Sequence, residues 1–184
     1  SEVNYGKAIE SYANAVKKDP KLIQIRRKLG EAYAKDGKND LALNEFSEIL
    51  KIDPKNIHAY NFIGFLYINQ ERWSEAIEQF ENSLEIDPNN LYALNHIGLS
   101  YKMLGNVEVA KTYLQKAVEI DPEMNDPESR NTHNFLGLIY KDEKNFSQAI
   151  AEYKKTLERF PADIEAHNRL GEIYELQGNY QDAL

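Results

Sequence analysis

The sequence contains no cysteine among its 184 residues, which excludes disulfides, thiolate metal sites and cysteine nucleophiles. It also lacks any run of 18 or more apolar residues, so no stretch has the length and composition of a transmembrane helix. The first residues do not show the charged-then-apolar pattern of a signal peptide. The missing cysteine slightly favours a reducing compartment such as the cytoplasm, but it does not fix the location.

Positive charge is scarce, because 22 Lys and Arg residues face 30 Asp and Glu residues and give a net charge of -8. Nucleic-acid-binding domains need a basic surface, so this balance argues against nucleic acid and favours basic or neutral partners. The sequence has no Gly-rich phosphate loop, Gly-x-Ser-x-Gly motif or calcium loop. The histidines His58, His96, His133 and His167 form no His-x-x-x-His pair. We therefore predict no catalytic residues, no metal and no cofactor.

A Leu/Ile-Gly-x-x-Tyr cluster occurs five times, with its glycines 34, 34, 39 and 34 residues apart. A fixed period of this length is typical of stacked repeats, in which each copy buries its neighbour. The glycines are Gly30, Gly64, Gly98, Gly137 and Gly171, and the tyrosines are Tyr33, Tyr67, Tyr101, Tyr140 and Tyr174. A second recurring set runs Ala42…Phe46…Pro54, Ala76…Phe80…Pro88, Ala110…Leu114…Pro122 and Ala149…Tyr153…Pro161.

These sets predict pairs of helices. Their apolar residues fall three and four apart, which is the spacing of an amphipathic helix. One helix is predicted from Ile23 to about Asp36 and its partner from Asn39 to about Ile52. Each Asp-Pro pair ends a helix, because proline disfavours a helical conformation in the residue before it. A mid-helix glycine costs about 1 kcal/mol relative to alanine, so we expect these glycines to meet the small residue of the partner helix, such as Ala42.

The order of Leu-Gly-x-x-Tyr, Ala-x-x-x-Phe and a closing proline within 34 residues resembles the tetratricopeptide repeat (TPR), over essentially the whole chain. The resemblance implies an all-α fold, a right-handed superhelical solenoid of antiparallel helix pairs with a peptide-binding concave groove. The chain departs from the family pattern at repeat position four, usually a large apolar residue, where Arg26 predicts looser packing in the first repeat.

The repeat boundaries follow from this register as a half repeat 1–22, full repeats 23–56, 57–90, 91–129 and 130–163, and a partial repeat 164–184. Both ends cut through a repeat, so we expect a fragment of a longer protein whose ends stack on another copy. Five extra residues enter around Glu123 to Pro127. Asp126 as N-cap and Pro127 as first helical residue predict that the helix with Gly137 begins about one turn early. A tolerated surface insertion is the alternative to a functional role.

Repeat positions two, six, nine and thirteen lie opposite the core stripe of each first helix, and in the resembling family they line the groove. In the middle three repeats these positions are largely apolar or aromatic. Such a strip, when exposed, marks an interaction surface; the alternative is packing against neighbouring helices or an absent segment. Position five is asparagine four times, and a carboxamide can both donate to and accept from an extended peptide backbone. Compositional bias is the alternative for these asparagines.

The predicted peptide-binding residues are therefore Asn61, Phe62, Phe65, Tyr92, Asn95, His96, Leu99, Met103, Asn134, Phe135, Leu138, Asn168 and Arg169. The carboxylate clamp of chaperone-binding family members is not expected, because only Arg27 matches it. We predict a non-enzymatic scaffold that binds a protein or peptide segment, with no membrane insertion. Two alternatives are a substrate-recruiting arm of a larger enzyme, such as a glycosyltransferase, and a self-assembly module that associates end to end.

Overall fold

The computed structural model describes residues 5–178, and all regular secondary structure in this range is helical. The ten helices are α1 (Tyr5–Lys18), α2 (Ile23–Lys35), α3 (Asn39–Ile52), α4 (Ile57–Asn69), α5 (Trp73–Ile86), α6 (Leu91–Met103), α7 (Val107–Ile120), α8 (Ser129–Asp142), α9 (Phe146–Arg159) and α10 (Ile164–Leu176). The prediction of an all-α fold is confirmed. The first predicted helix pair agrees with α2 and α3 to within one residue.

The chain divides into two compact units, residues 1–88 and residues 89–184. In the first unit α2 packs on α3 and α4 on α5, while α1 contacts α2 and α3 contacts α4. In the second unit α6 packs on α7 and α8 on α9. The first helices of that unit also touch one another, since α6 contacts α8 and α8 contacts α10. Each unit is therefore a stack of antiparallel helix hairpins.

A left-handed residue ends the first helix of each hairpin and turns the chain into the second. Arg72 N then donates to Tyr67 O at 2.9 Å, and Glu71 N donates to Ile68 O at 2.9 Å. This pair of bonds satisfies carbonyls that the helix end leaves without partners. The left-handed residues are Gly37 (φ 76°), Glu71 (φ 57°), Gly105 (φ 82°) and Lys144 (φ 60°). Two of the four positions therefore carry a side chain where glycine is favoured.

The motif glycines admit a large side chain of the partner helix. A Cβ added to Gly64 would lie 2.7 Å from the Phe80 ring, and one added to Gly98 would lie 2.7 Å from Leu114 Cγ. This corrects the expectation that the glycine meets the alanine of its partner helix. The residue four positions after that alanine points into the gap and fills it. Buried side chains such as Phe80 and Leu114, both 0% exposed, depend on this gap.

Two polar residues at repeat position four, Arg26 and His133, each pair with a glutamate on the second helix of their own hairpin. Arg26, which is 8% exposed, donates from Nε to Pro20 O at 2.7 Å and from Nη1 to Glu45 at 2.6 Å. His133 Nδ1 lies 2.6 Å from Glu152, and both residues occupy the equivalent places of their repeat. Burial raises the pKa of Glu152, but hydrogen bonds from His133 and Lys155 outweigh it and leave the pKa below its usual range. A second-helix glutamate therefore compensates the buried charge of Arg26, while looser packing of the first repeat stays a prediction.

The five extra residues form a loop held by the carboxylate of Asp121. Its oxygens accept from Asn125 N at 3.0 Å, from Asp126 N at 2.8 Å and from Ser129 Oγ at 2.5 Å. Helix α8 begins at Ser129, only one residue earlier relative to its glycine than α6 does. The prediction that it begins one turn early is wrong. The extra chain closes on Asp121 instead and buries Met124, which is 7% exposed.

Candidate functional site

In the second unit, the adjacent helices α6 and α8 present a strip of apolar and aromatic side chains. Tyr92 and His96 stack with ring centroids 4.1 Å apart, and the Phe135 ring meets His96 edge-on at 6.2 Å. Leu99 and Leu138 follow on the same faces by helical spacing. Five of the six side chains are half-buried, and Met103 at the end of α6 is 48% exposed. We call this set, which is Tyr92, His96, Leu99, Met103, Phe135 and Leu138, the aromatic strip.

Helices α6 and α8 run parallel beneath the strip. Side chains of α6 contact side chains of α8 in the same order along both helices, as expected for parallel neighbours. From the amino ends onward the pairs are Asn95 with Thr132, His96 with Phe135, and Lys102 with Asp142. The amino ends of the two helices are therefore neighbours, and so are their carboxyl ends. A segment lying on the strip would meet two chemically different ends.

The aromatic strip is uncharged at neutral pH. Burial lowers the pKa of His96 below its ordinary value, although a hydrogen bond to the backbone of Tyr92 opposes this shift. The Nδ1 atom of His96 lies 2.8 Å from Tyr92 O, so Nδ1 carries the hydrogen of the neutral ring. Burial also raises the pKa of Tyr92 to about 12. Both rings thus act as neutral contact surface.

Ion pairs border the strip at the carboxyl ends of the first helices. Lys102 Nζ lies 2.7 Å from Asp142, with side chains 19% and 49% exposed. Lys141 Nζ lies 2.7 Å from Glu172, with side chains 18% and 44% exposed. A hydrogen bond from Lys141 and a further one from Arg169 hold the pKa of Glu172 below its usual range, against the opposing effect of burial. In both pairs the carboxylate is the member that faces solvent.

The amino end of α8 has the opposite arrangement. Arg130 Nε lies 3.3 Å from Asp163, and their side chains are 44% and 6% exposed. Asp163 is the N-cap of α10, and its Oδ1 accepts from Ala166 N at 2.7 Å. The guanidinium is therefore the solvent-facing group at this end, and the carboxylate is used by the helix.

The predicted asparagine ladder is wrong for its two middle members. Asn95 is 0% exposed, and its Nδ2 donates to Glu128 O at 2.9 Å while its Oδ1 accepts from Thr132 Oγ1 at 2.7 Å. Asn134 is 2% exposed, and its Nδ2 donates to Asp163 Oδ1 at 3.2 Å. The side chains of Asn95 and Asn134, at repeat position five, point from one first helix toward the next first helix. The carboxamide there binds the start of the next first helix instead of an incoming peptide.

Three further predicted binding residues, Asn168, Arg169 and Asn61, do not share the buried, hydrogen-bonded arrangement of Asn95. Asn168 is exposed on α10, and Arg169 is half-buried with its guanidinium 3.2 Å from Glu172. Asn61 lies on α4 of the first unit, half-buried, and its Oδ1 is a buried oxygen without a hydrogen-bond partner in the described structure. Asn168 and Arg169 stay candidates for contact with a partner.

The aromatic residues of the first unit contribute mainly to packing. Phe62 stacks on Phe46 of α3 at 4.3 Å and packs against the core cluster of that unit. Phe65 meets Phe62 edge-on at 6.1 Å and is half-buried. For Phe62 the alternative of packing against neighbouring helices is therefore the correct one. Phe65 keeps a partly accessible ring.

A hollow of about 310 Å³ opens in the first unit between α2 and α4. Phe46, Ile49 and Ala59 provide apolar lining, and Arg27 and His58 are among its polar lining residues. Arg27 Nη1 lies 2.9 Å from Glu31 and 3.3 Å from His58 Nε2. The charge of Arg27 is thus already partnered within the unit.

The sequence pattern did not single out the carboxylates of Asp142 and Glu172. Helical periodicity places both on the groove side, but it cannot show which member of an ion pair faces solvent. Thr132 was also missed, although a signal exists for it. Position three is alanine in three other repeats, as in Ala93, and threonine in this one, where a hydroxyl partner for Asn95 is required.

Within residues 5–178 no helix has the length and hydrophobicity needed to cross a membrane. In the same range, the side chains that commonly bind metals do not gather in any group of three or more.

Comparison with known families gives matches along nearly the whole chain. A tetratricopeptide repeat model matches residues 56–123 and 89–162. A TPR repeat model matches residues 4–37, and two further tetratricopeptide repeat models match residues 152–184 and 27–56. A search of curated proteins finds no match.

Solved structures with the same fold include three that align over most of both chains. MamA is 22% identical, with 86% of this chain and 90% of that chain covered and a TM-score of 0.71. A thermophilic TPR protein from Thermus thermophilus is 19% identical, with coverages of 93% and 91% and a TM-score of 0.77. YrrB, described as a TPR protein with an unusual peptide-binding site, is 21% identical, with coverages of 96% and 88% and a TM-score of 0.64. At these identities the similarity shows the fold alone.

Proposed function

We propose that this chain, which belongs to the tetratricopeptide repeat family, is a scaffold that binds a partner protein segment on the aromatic strip of its second unit. Proteins of this family are generally non-catalytic scaffolds for protein interaction. The more specific proposal, that an extended peptide segment binds on the aromatic strip, rests on residues of the second unit.

The observation that carries the proposal is the continuity of the aromatic strip. Single exposed apolar side chains are normal on any protein, whereas a contiguous apolar patch marks an interaction surface. Tyr92, His96 and Phe135 touch in sequence across two helices, and the exposed Met103 follows on α6. Aromatic residues and methionine are enriched in the centres of protein interfaces.

The manner of binding differs from an amide ladder. Asn95 and Asn134 are at most 2% exposed and donate within the unit, so they are not accessible to a peptide backbone. Asn134 Oδ1 is buried without a hydrogen-bond partner in the described structure. Affinity then comes from packing of apolar side chains of the partner on the strip. Asn168 and Arg169 on α10 extend the surface with polar groups. The similarity in fold to YrrB, a TPR protein with a peptide-binding site, supports a peptide as the bound species.

The test is selection of peptides from a random phage-displayed library on the immobilised chain. We expect an enriched peptide family, and we expect Phe135→Glu to abolish binding of its members, because a carboxylate would be placed among neutral rings. The matched control is Val109→Glu, which introduces the same charged side chain in place of an apolar residue that is 41% exposed on α7. Circular dichroism verifies that both variants fold.

Equal binding of the selected peptides to the parent and to Phe135→Glu would refute the proposed surface. Loss of binding in Val109→Glu alone would indicate that the peptides bind to the second helices instead. The two alternatives, a substrate-recruiting arm of an enzyme and a self-assembly module, stay predictions. The flanking gene sequence tests the former, and light scattering across a concentration series tests the latter.

A further inference from the structure

The ion pairs beside the aromatic strip are asymmetric in a way that changes the surface a partner meets. In the Lys102–Asp142 and Lys141–Glu172 pairs the lysines are less than one-fifth exposed, while the carboxylates are 49% and 44% exposed. A lysine can lay its aliphatic stem on apolar surface and reach a carboxylate with its head. The formal charges cancel in the Lys102–Asp142 pair. Glu172 also lies 3.2 Å from the half-buried guanidinium of Arg169, which lies 3.8 Å from Glu165, so the formal charges of this larger group cancel as well. The exposed oxygens of Asp142 and Glu172 are the atoms that an incoming group can approach.

The helix backbone adds to this negative character. The aligned peptide dipoles of a helix place about half a negative elementary charge at its carboxyl end. Helices α6 and α8 are parallel, so two such ends lie together beside Asp142. The amino end of the strip carries both signs, because the carboxylate of Glu128 acts on Tyr92, while the guanidinium of Arg130 is exposed and the α8 dipole is positive there. The carboxyl end of the strip combines exposed carboxylates with negative helix ends.

We propose that the segment bound on the aromatic strip carries a lysine or arginine that lies over the carboxylates of Asp142 and Glu172. The inference rests on the proposed function and specifies its partner. Apolar side chains of the segment contact Phe135 and Leu138, and the basic residue follows them toward the carboxyl ends of α6 and α8. Met103, at the end of α6 and next to Lys102 in sequence, keeps apolar surface close to these carboxylates.

The charge of the whole chain agrees with this assignment. A net charge of -8 attracts basic segments at long range and raises their rate of association. A partner with acidic residues at the same place would meet the carboxylates and the negative helix ends. Discrimination between basic and acidic partners is therefore built into one end of the strip.

The experiment examines the peptides selected from the random library. We expect enriched sequences to contain apolar residues followed or preceded, on one fixed side, by Lys or Arg. The double variant Asp142→Asn with Glu172→Gln should weaken binding of these peptides by roughly two- to fivefold at low salt, since a solvent-exposed charge pair contributes about 0.2–1 kcal/mol. The difference should shrink as salt screens the charges.

Two controls separate this effect from a general change in charge or folding. Glu119→Gln on α7 removes an exposed carboxylate from a second helix and should leave affinity unchanged. Exchange of the basic residue of the peptide for glutamine leaves the protein intact, and should reproduce the loss even if the double variant folds poorly.

The outcomes distinguish this inference from the proposed function. The inference would be overturned, while the binding surface stands, if the enriched peptides lack basic residues. It would also be overturned if these peptides bind the double variant as tightly as the parent chain and the glutamine peptide binds the parent as tightly as the basic one. Absence of any enrichment that depends on Phe135 would overturn the proposed function itself.

Discussion

Replacement of Asn95 by alanine should destabilise the second unit, although the side chain lies at a position predicted to face a ligand. Asn95 is 0% exposed and makes two hydrogen bonds, one to Glu128 O at 2.9 Å and one from Thr132 Oγ1 at 2.7 Å. Loss of a typical hydrogen bond costs about 0.5–1.5 kcal/mol, and a buried group left without a partner costs about 1–3 kcal/mol. Thr132 Oγ1 also lies 3.5 Å from Glu128 O, so its hydroxyl can turn to that carbonyl.

We therefore expect Asn95→Ala to lower the free energy of unfolding by about 1–3 kcal/mol, toward the lower end of that range. Urea unfolding followed by circular dichroism measures the change. In a chain of this size each kcal/mol lowers the melting temperature by roughly 2–4 °C. The matched control is Asn168→Ala, because Asn168 has the same repeat position but is exposed. A surface change of this kind stays within about 0.5 kcal/mol.

The reasoning is refuted if the two alanine variants unfold at the same denaturant concentration. A second contradictory result would be unchanged stability of Asn95→Ala together with weaker binding of selected peptides. The carboxamide would then be a ligand group after all. Reduced stability with retained peptide affinity is the result that the hydrogen bonds predict.

Three further predictions concern backbone strain, helix packing and pH. Glu71→Gly should raise the melting temperature by a few degrees, because Glu71 has a φ of 57° and a left-handed conformation costs a residue with a side chain about 1 kcal/mol. Gly98→Leu should lower stability by about 1–3 kcal/mol, since a Cβ there would lie 2.7 Å from Leu114 Cγ; Gly171→Ala, where nothing described lies within 4 Å, should instead stabilise. The free energy of unfolding should fall as pH drops below about 6.5, because the lowered pKa of His96 leaves the unfolded chain binding more protons. Urea titrations at successive pH values should show this slope in the parent, and a slope that persists undiminished in His96→Gln would contradict its source.

The helix pairs could be read from the sequence because their signals are local. The tyrosine carbonyl and the left-handed residue act together at the end of the first helix, and the Asp-Pro pair acts at the end of the second. Each signal lies close to the helix end that it marks, so the period of the motif gives the helix boundaries. Asp121 shows where locality fails. Its carboxylate binds Asn125 N, Asp126 N and Ser129 Oγ, and this closes the extra residues into a loop that helix-start signals alone do not predict.

The binding surface could be predicted only in part. Periodicity identified the helix face that holds His96 and Phe135, since that depends on one helix at a time. The directions of Asn95 and Asn134 depend on the stagger between successive first helices, which is a long-range property. The same holds for Phe62, whose ring stacks on Phe46 of another helix at 4.3 Å.

The most direct measurement is methyl NMR of the labelled chain during titration with a selected peptide. The account predicts that the methyl signals of Leu99, Met103 and Leu138 shift with one common dissociation constant. The methyl signals of Val109 and Ile164, which are exposed on α7 and α10, should stay in place. Shifts confined to Val109 and Ile164, with the strip methyls unchanged, would contradict binding on α6 and α8.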